Sequence, residues 1–163
     1  MAAKKPSYNG HLTKNFGYQE MIKSSTADRL GISNDATREH VINLVNLCNF
    51  ILQPVRDEFG PIRINSGYRS PTLNKAVGGS KTSQHCNGEA ADFESSRISN
   101  PELAIWIVNN LEFDQLILEF YDGKDPHSGW VHCSYKMDGS NRNNTLTALR
   151  VNGKTQYKKG LLK

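Results

Sequence analysis

The sequence predicts an α+β fold in which helices pack on a small, largely antiparallel sheet. The first half carries the helical signal, because apolar residues recur every three or four positions across 35–59. The second half carries strand signals, since short apolar segments with alternating residues are separated by polar turns. Helices that precede strands, rather than alternating with them, are typical of this fold class.

The composition is that of a single globular domain. The chain has 163 residues, of which 37% are apolar and 22% charged, and this length is enough to bury a core. No segment approaches the roughly 18 apolar residues of a membrane helix, and the N-terminus lacks the apolar part of a signal peptide. We expect a loosely ordered arm over 1–15, one domain over 16–163, a monomer, and synthesis in the cytoplasm without membrane insertion.

Helices are predicted over 16–23, 26–30 and 35–59, from Pro71 to Gly78-Gly79, and over 100–111. Asn34 and Asp35 are suitable N-cap residues for the long helix, and Pro54 predicts a kink or break within it. Ser70 followed by Pro71 is a typical helix start, and Asn100 is expected to cap the last helix.

Strands are predicted at 61–65, 89–94, 113–120, 129–135, 145–151 and 154–158. Asn152-Gly153 is the strongest two-residue hairpin signal in the chain. The polar segment 121–128 is expected to connect two antiparallel strands. The strand pattern at 89–94 places Ala91 and Phe93 on one face and Asp92 on the other.

Two imidazoles and one carboxylate form a candidate metal site. His85 and Asp92 are seven residues apart, and His132 lies in a separate predicted strand. Three such ligands suit a catalytic zinc, which keeps its fourth position for water. An unpaired carboxylate between Ala91 and Phe93 would be costly, and either a metal or a salt bridge explains it.

The cysteines offer a second set of ligands. Cys86 and Cys133 each directly follow one of the histidines, whereas Cys48 lies on the apolar stripe of the long helix. None forms a CxxC pair, and three cysteines cannot all pair. The pattern favours free core residues over metal ligands.

Glu119 is the first candidate for a catalytic base. If the strands on either side of 121–128 pair as a hairpin, Glu119 lies opposite His132 and on the same face. A strand-end glutamate in solvent, or paired with a lysine, is the alternative. Asp122 and His127, in the connecting loop, are weaker candidates.

Arg69 is a candidate for stabilising negative charge, because a guanidinium offers paired donors to a carboxylate or an oxyanion. A structural ion pair is the alternative. Ser83 could contact a substrate carboxylate or hold its own loop through its hydroxyl. Tyr68, beside Arg69, is a further candidate substrate contact.

These segments resemble a known family. The residues that carry the resemblance are Ser66-Gly67-Tyr68-Arg69-Ser70-Pro71, the frame Ser83-x-His85-x-x-Gly88-x-Ala90-x-Asp92, and Trp130-Val131-His132. Together they resemble the zinc D-alanyl-D-alanine carboxypeptidases, a family that includes phage L-alanyl-D-glutamate endopeptidases and shares the zinc fold of the Hedgehog signalling domain. The likeness covers about residues 16–135, and the segments 20–27 and 52–56 resemble phage and prophage members.

The resemblance implies one zinc per chain held by His85, Asp92 and His132, a carboxylate base, and Arg69 on the substrate carbonyl. It implies a peptidoglycan stem peptide as substrate. Many relatives carry the base three residues before the last histidine, where this chain has Gly129. Either Glu119 takes that role from the adjacent strand, or catalysis is impaired.

The expected function is a zinc peptidase of the D-Ala-D-Ala carboxypeptidase type. An endopeptidase acting as an endolysin, and a zinc-stabilised binding module without activity, are the alternatives. The protein is expected to reach the cell wall after release, or in a virion.

The net charge of +4 favours acidic partners, but no aromatic-basic pattern indicates nucleic acid. The basic hairpin at 145–163 is expected to close the sheet or contact the wall.

Overall fold

The computed structural model describes residues 10–161. Residues 1–9 of the predicted N-terminal arm, and the last two residues, lie outside the described part of the chain. Within it, Leu12 is buried in the hydrophobic core. The hydroxyl of Thr13 donates to Gln53 Oε1 at 2.8 Å, so residues 12 and 13 contact the helical layer.

A six-stranded mixed sheet forms the centre of the fold. Its strands are β1 (Ile62–Ser66), β2 (Ala90–Ser95), β3 (Gln115–Glu119), β4 (Trp130–Ser134), β5 (Asn144–Val151) and β6 (Lys154–Lys159). The spatial order is β1-β2-β4-β3-β5-β6. Neighbouring strands are antiparallel except β3 and β5, which run parallel. The predicted α+β class with a largely antiparallel sheet is confirmed.

Within residues 10–161, six α-helices accompany the sheet: α1 (Tyr18–Ile22), α2 (Ser25–Leu30), α3 (Arg38–Leu47), α4 (Gln53–Phe59), α5 (Pro71–Ala76) and α6 (Asn100–Asn110). A π-helical turn, Cys48–Leu52, joins α3 to α4, and a 3₁₀ turn, Gln84–Asn87, precedes β2. Among the described residues, no helix has the length and apolar character needed to span a membrane.

Pro54 changes the hydrogen bonding of the long helix without ending it. Proline has no N–H, and its ring collides with the carbonyl four residues earlier. The preceding turn widens, so that the N–H of Gln53 donates to the carbonyl of Cys48, five residues back. The predicted kink or break is therefore a π turn, and the helix continues to Phe59.

The predicted cap of the long helix is wrong. Thr37 is the N-cap, since its hydroxyl accepts from the N–H of His40. Asn34 makes tertiary contacts instead: its amide donates to the carbonyls of Ile22 and Tyr68 and accepts from the N–H of Ser70. Asn34 therefore holds the segment that carries Arg69.

The first helical turn of α6 shows a similar difference. Ser99, rather than Asn100, is its N-cap, and it forms a capping box with Glu102. The side chain of Asn100 is fully buried and donates to the carbonyls of Ser128 and Gly129. As at Asn34, a suitable capping residue is used to join distant segments.

The two faces of the sheet have different roles. One face joins helical residues such as Leu44, Ile51 and Leu103 in the core. The sheet residues of this core are Ala91, Phe93, Leu116, Leu118, Val131 and Cys133. Because side chains alternate along a strand, Asp92, Ile117, Glu119 and His132 lie on the opposite face.

Candidate active site with a metal-binding cluster

The structure brings His85, Asp92 and His132 together. Asp92 on β2 and His132 on β4 are direct partners in the antiparallel ladder, so they share a face. His85 comes from the 3₁₀ turn before β2, whose start is capped by Ser83. Gly88 ends that turn with a φ of 73°, and a Cβ there would lie 2.5 Å from the carbonyl oxygen of His40. These constraints explain the spacing of the motif.

The distances between the three side chains suit a tetrahedral metal ion. Asp92 Oδ1 lies 3.3 Å from His85 Nε2 and 3.0 Å from His132 Nδ1. One ligand atom from each residue lies within 4.8 Å of the others. Zinc bonds of about 2.0–2.1 Å place neighbouring tetrahedral ligands about 3.3 Å apart. The donor set therefore fits zinc in both chemistry and spacing.

The His85 ring is fixed by a hydrogen bond from its other nitrogen. Nδ1 lies 2.7 Å from the carbonyl oxygen of Gly67. Since a carbonyl only accepts, Nδ1 carries the hydrogen and Nε2 presents its lone pair to the cluster. A carbonyl behind a histidine is a typical way to orient a metal ligand.

The surroundings of His85 and Asp92 also favour the protonation states that bind a metal. Burial lowers the pKa of His85, so the ring is neutral near pH 7. Burial alone would raise the pKa of Asp92, but the neighbouring imidazoles of His85 and His132 hold this pKa well below its usual range. A neutral imidazole and an ionised carboxylate are the forms that bind a metal.

Glu119 lies on the same face as the cluster, but its predicted register is wrong. The partner of Glu119 is Trp130, and the partner of His132 is Ile117. The register is two residues away from the expected one, because pairing stops at Glu119 and Trp130, where Phe120 and Gly129 turn out of the ladder with φ of 57° and 67°. A shift of two keeps every side chain on its face.

The surroundings of Glu119 raise its proton affinity. Burial raises the pKa of Glu119 to about 7, with a further contribution from the Asp92 carboxylate, while His132 and Arg69 oppose the shift. A carboxyl with a pKa near neutrality suits proton transfer at physiological pH.

Gly129 occupies the position where many relatives are expected to carry an acid. Its φ is 67°, and a Cβ there would lie 1.9 Å from the carbonyl oxygen of Glu119. The end of β3 thus fills the space that a side chain at 129 would need. Glycine is required here by the same chain segment that brings Glu119 to the cluster.

Arg69 lines the same cavity and offers unused donors. Its Nη2 donates to Ser83 Oγ at 3.4 Å, and its Nε is buried without a hydrogen-bond partner. Among residues 10–161, Arg69 forms no salt bridge, which argues against the structural ion pair. Ser83 holds its own loop, because its hydroxyl accepts from the N–H of His85.

Tyr68 does not reach the cavity. Its side chain is buried in the hydrophobic core, where the ring lies 5.3 Å from that of His40. The N–H of Tyr68 donates to the carbonyl of Met21, so the backbone here is fixed against α1. Neighbouring residues in this extended segment point in opposite directions, and Arg69 is the one that faces the cluster.

The weaker candidates lie elsewhere. Asp122 caps its own loop, accepting from the backbone N–H groups of Lys124 and Asp125. His127 lines a different cavity, beside Arg97. Cys133 is buried in the core on the opposite face of the sheet, and Cys86 is half-buried outside the metal-ligand group.

The cavity around the cluster has a volume of about 830 Å³. Besides the expected residues, it is lined by cationic and aromatic side chains that the sequence did not indicate, namely Lys136, Arg142, Arg150, Phe120 and Tyr157. The β5–β6 hairpin contributes Arg150 and Tyr157. These positions depend on strand pairing, for which the local sequence gives no signal.

An ion pair between the buried Asp114 and the half-exposed Arg142 supports the turn that carries His85. Asp114 is fully buried, and Arg142 donates to both of its carboxylate oxygens, at 2.9 and 2.8 Å. Gln84, next to His85, donates to the same carboxylate at 2.9 Å. An acidic residue between Phe113 and the apolar segment 116–118 was the available sequence signal for Asp114.

Comparison with known proteins agrees with this arrangement. A model of the family described as peptidase M15 matches residues 14–134. The chain is also 32% identical, over 116 residues, to the zinc D-Ala-D-Ala carboxypeptidase of Streptomyces albus G. That match covers 70% of this chain and 44% of the relative, so the chain spans less than half of the relative's length. The chain belongs to the peptidase M15 family.

Proposed function

We propose that this protein is a zinc metallopeptidase that hydrolyses a peptide bond in peptidoglycan stem peptides, at the D-Ala-D-Ala end. The observation that carries the proposal is a metal-ligand cluster that shares one cavity with a carboxyl of raised pKa, Glu119, and a guanidinium without a salt bridge, Arg69. The family match and the name of the Streptomyces relative support the choice of metal and substrate.

His85, Asp92 and His132 would hold one zinc ion per chain, through Nε2, Oδ1 and Nδ1 respectively. A zinc ion in such a site polarises a carbonyl and lowers the pKa of a bound water to about 7. The carbonyl of Gly67 keeps His85 in the correct tautomer. This arrangement favours the two histidines and the aspartate over the cysteines as metal ligands, because Cys133 faces the core.

Glu119 would act as the general base and then as the general acid. Its carboxylate accepts a proton from the attacking water and returns it to the leaving amine. Arg69 would donate hydrogen bonds to the carbonyl oxygen as negative charge develops there. Ser83 keeps the Arg69 side chain and the His85 turn in place through its hydroxyl.

An endopeptidase acting within the stem peptide is the second candidate. The observation in its favour is that the cavity is lined on both sides of the level of the cluster, by Arg142 before β5 and by Arg150 near the end of β5. The inactive binding module loses its main support, since the acid missing at position 129 has a structural reason and Glu119 lies in the cavity.

The test is digestion of purified peptidoglycan by zinc-loaded and chelator-treated protein, with mass analysis of the fragments. Zinc-dependent release of free D-alanine supports the carboxypeptidase, and release of stem peptides would assign the endopeptidase. No zinc-dependent product would contradict both.

Glu119→Gln is expected to lower kcat/KM by about 10²–10⁴-fold, because the general base is lost, while the zinc content stays at one ion per chain. Glu58→Gln is the matched control, since Glu58 is an exposed acid on α4, outside the cavity. Turnover that survives Glu119→Gln would rule out Glu119 as the base.

A further inference from the structure

The β5–β6 hairpin forms one wall of the cavity. Arg150 on β5 and Tyr157 on β6 both line it. The family match ends at residue 134, so it assigns nothing to the hairpin. The sequence indicated only a hairpin that closes the sheet or contacts the cell wall, and its position beside the cluster suggests a more specific role.

The strand register explains why Arg150 faces the cluster. Ala148 on β5 is the partner of Glu119 on β3 and of Tyr157 on β6. Side chains alternate along a strand, so Arg150 lies on the same face as Ala148 and therefore as Glu119. Lys158, next to Tyr157 in sequence, lies on the other face.

Arg150 is held in place by an aromatic stack. Its guanidinium carbon lies 5.1 Å from the centre of the Phe120 ring. The Phe120 ring contacts that of Trp130 edge to face, at 5.4 Å between centres. Trp130 is the partner of Glu119 in the sheet. A cation over an aromatic face is orientated without losing its charge.

The charge of Arg150 is available, in contrast to that of Arg142. Arg142 is paired with the buried Asp114. Arg150 forms no salt bridge with any described residue, and its side chain is exposed to the cavity and solvent. The cavity therefore has a free, orientated cation at the end formed by the hairpin.

The register also gives the distance from the cluster to this cation. His132 is level with Ile117, and Ala148 is level with Glu119, so the backbone of Arg150 lies four strand residues beyond the level of the cluster. Four residues of strand span about 13 Å at about 3.3 Å each, and the long Arg150 side chain places its guanidinium over the Phe120 ring, next to the end of β3. A substrate chain in extended form needs about three to four residues to cover that length.

We propose that Arg150 binds a substrate carboxylate on the third residue from the cleaved bond. In a stem peptide cut at the D-Ala-D-Ala end, the third residue before the bond is D-glutamate, which is linked through its side chain and keeps a free α-carboxylate. Arg150 thus determines specificity for stem peptides in which this carboxylate is not amidated. This inference rests on the proposed function.

The test compares two synthetic pentapeptides, L-Ala-γ-D-Glu-L-Lys-D-Ala-D-Ala with the α-carboxylate of D-Glu either free or converted to an amide. The wild-type protein is expected to favour the free carboxylate by about three- to tenfold in kcat/KM, mainly through KM, since the contact is remote from the reacting bond. Binding is measured in parallel on the zinc-loaded Glu119→Gln variant, so that the preference is seen without turnover.

Arg150→Ala is expected to remove the preference, and Arg150→Lys to keep part of it. Lys158→Ala is the matched control, because it removes a cation from the same strand pair on the opposite face, and it should leave the preference unchanged. A purely structural role for Arg150 would lower Tm and weaken both peptides equally, which would overturn the proposal.

The outcomes separate the inference from the proposed function. Release of D-alanine from both peptides at equal kcat/KM would overturn the role of Arg150 and leave the peptidase intact. A binding preference that depends on Arg150, without any release of D-alanine, would support the carboxylate site and contradict the proposed reaction. Equal or absent binding of the two peptides overturns the inference.

Discussion

At the scale of single residues, Gly129 and Glu119 depend on each other. The carbonyl oxygen of Glu119 lies where a Cβ at position 129 would be, at 1.9 Å. An acid at 129 and the present course of β3 therefore exclude each other. The chain brings its carboxylate to the cluster from the neighbouring strand, on the same face as His132.

Gly129→Ala is expected to destabilise the protein by more than about 2 kcal/mol, because a strained φ is combined with a backbone collision. The matched control is Gly123→Ala, in the same loop, where φ is 79° but nothing lies within 4 Å of the added Cβ. Urea unfolding of both variants gives the comparison. Equal losses of stability would show that the contact with Glu119 does not matter.

Glu119 also predicts the pH dependence of the reaction. Burial raises its pKa to about 7, and a bound cation nearby would lower this value. In the proposed mechanism Glu119 is the base and must be deprotonated, so kcat/KM is expected to rise with pH up to an apparent pKa below about 7. A pH–rate profile of the zinc-loaded protein measures it, and activity that falls over the same range would contradict the assignment.

At the scale of elements, the Asp114 carboxylate joins β3, the residues before β5 and the turn that carries His85. It accepts from Arg142 and from Gln84. Burial alone would raise the pKa of Asp114, but hydrogen bonds from Arg142 and Gln84 lower it below its ordinary value of 3.8. The ionised form therefore stabilises the fold above about pH 4, and this stabilisation is lost as pH falls from there towards the lowered pKa.

Asp114→Asn is expected to lower the free energy of unfolding by about 1–2 kcal/mol at pH 7, since the donors on Gln84 and on the half-exposed Arg142 lose a charged acceptor. The difference from wild type should shrink below about pH 4. Zinc affinity is expected to fall as well, because the His85 turn loses its support. Asp28→Asn, at an exposed acid on α2, is the control. A deficit that is independent of pH would contradict the ionic role.

The elements also show what the sequence could and could not predict. The face of the sheet on which Glu119 lies was predictable, because side chains alternate along a strand. Its cross-strand partner was not, and the register differed by two residues, because the local sequence does not show how long the connecting loop is. Asn34 and Asn100 have the chemistry of helix caps, yet both serve tertiary contacts. Local preference identified these residues as hydrogen-bonding groups, and long-range packing decided their partners.

At the scale of the whole molecule, the cluster was predictable from spacing, but the cavity around it was not. The three ligands lie in motifs that can be recognised from the sequence alone, namely those of His85, Asp92 and His132. Arg150 reaches the same cavity only because β5 pairs in parallel with β3, across a connection that contains β4. Non-local pairing of this kind has no counterpart in local periodicity.

The three ligands are unevenly spaced along the chain, and this has a consequence for kinetics. His85 and Asp92 are seven residues apart, whereas His132 joins them only when strands forty residues apart have paired. An unfolded chain offers zinc no complete site, and closing so long a loop comes late. At zinc concentrations 100 times Kd the native state gains about 2.7 kcal/mol. Stopped-flow measurements should show most of this stabilisation as a lower unfolding rate, with the refolding rate almost unchanged. Zinc would then extend the lifetime of the native state without accelerating folding.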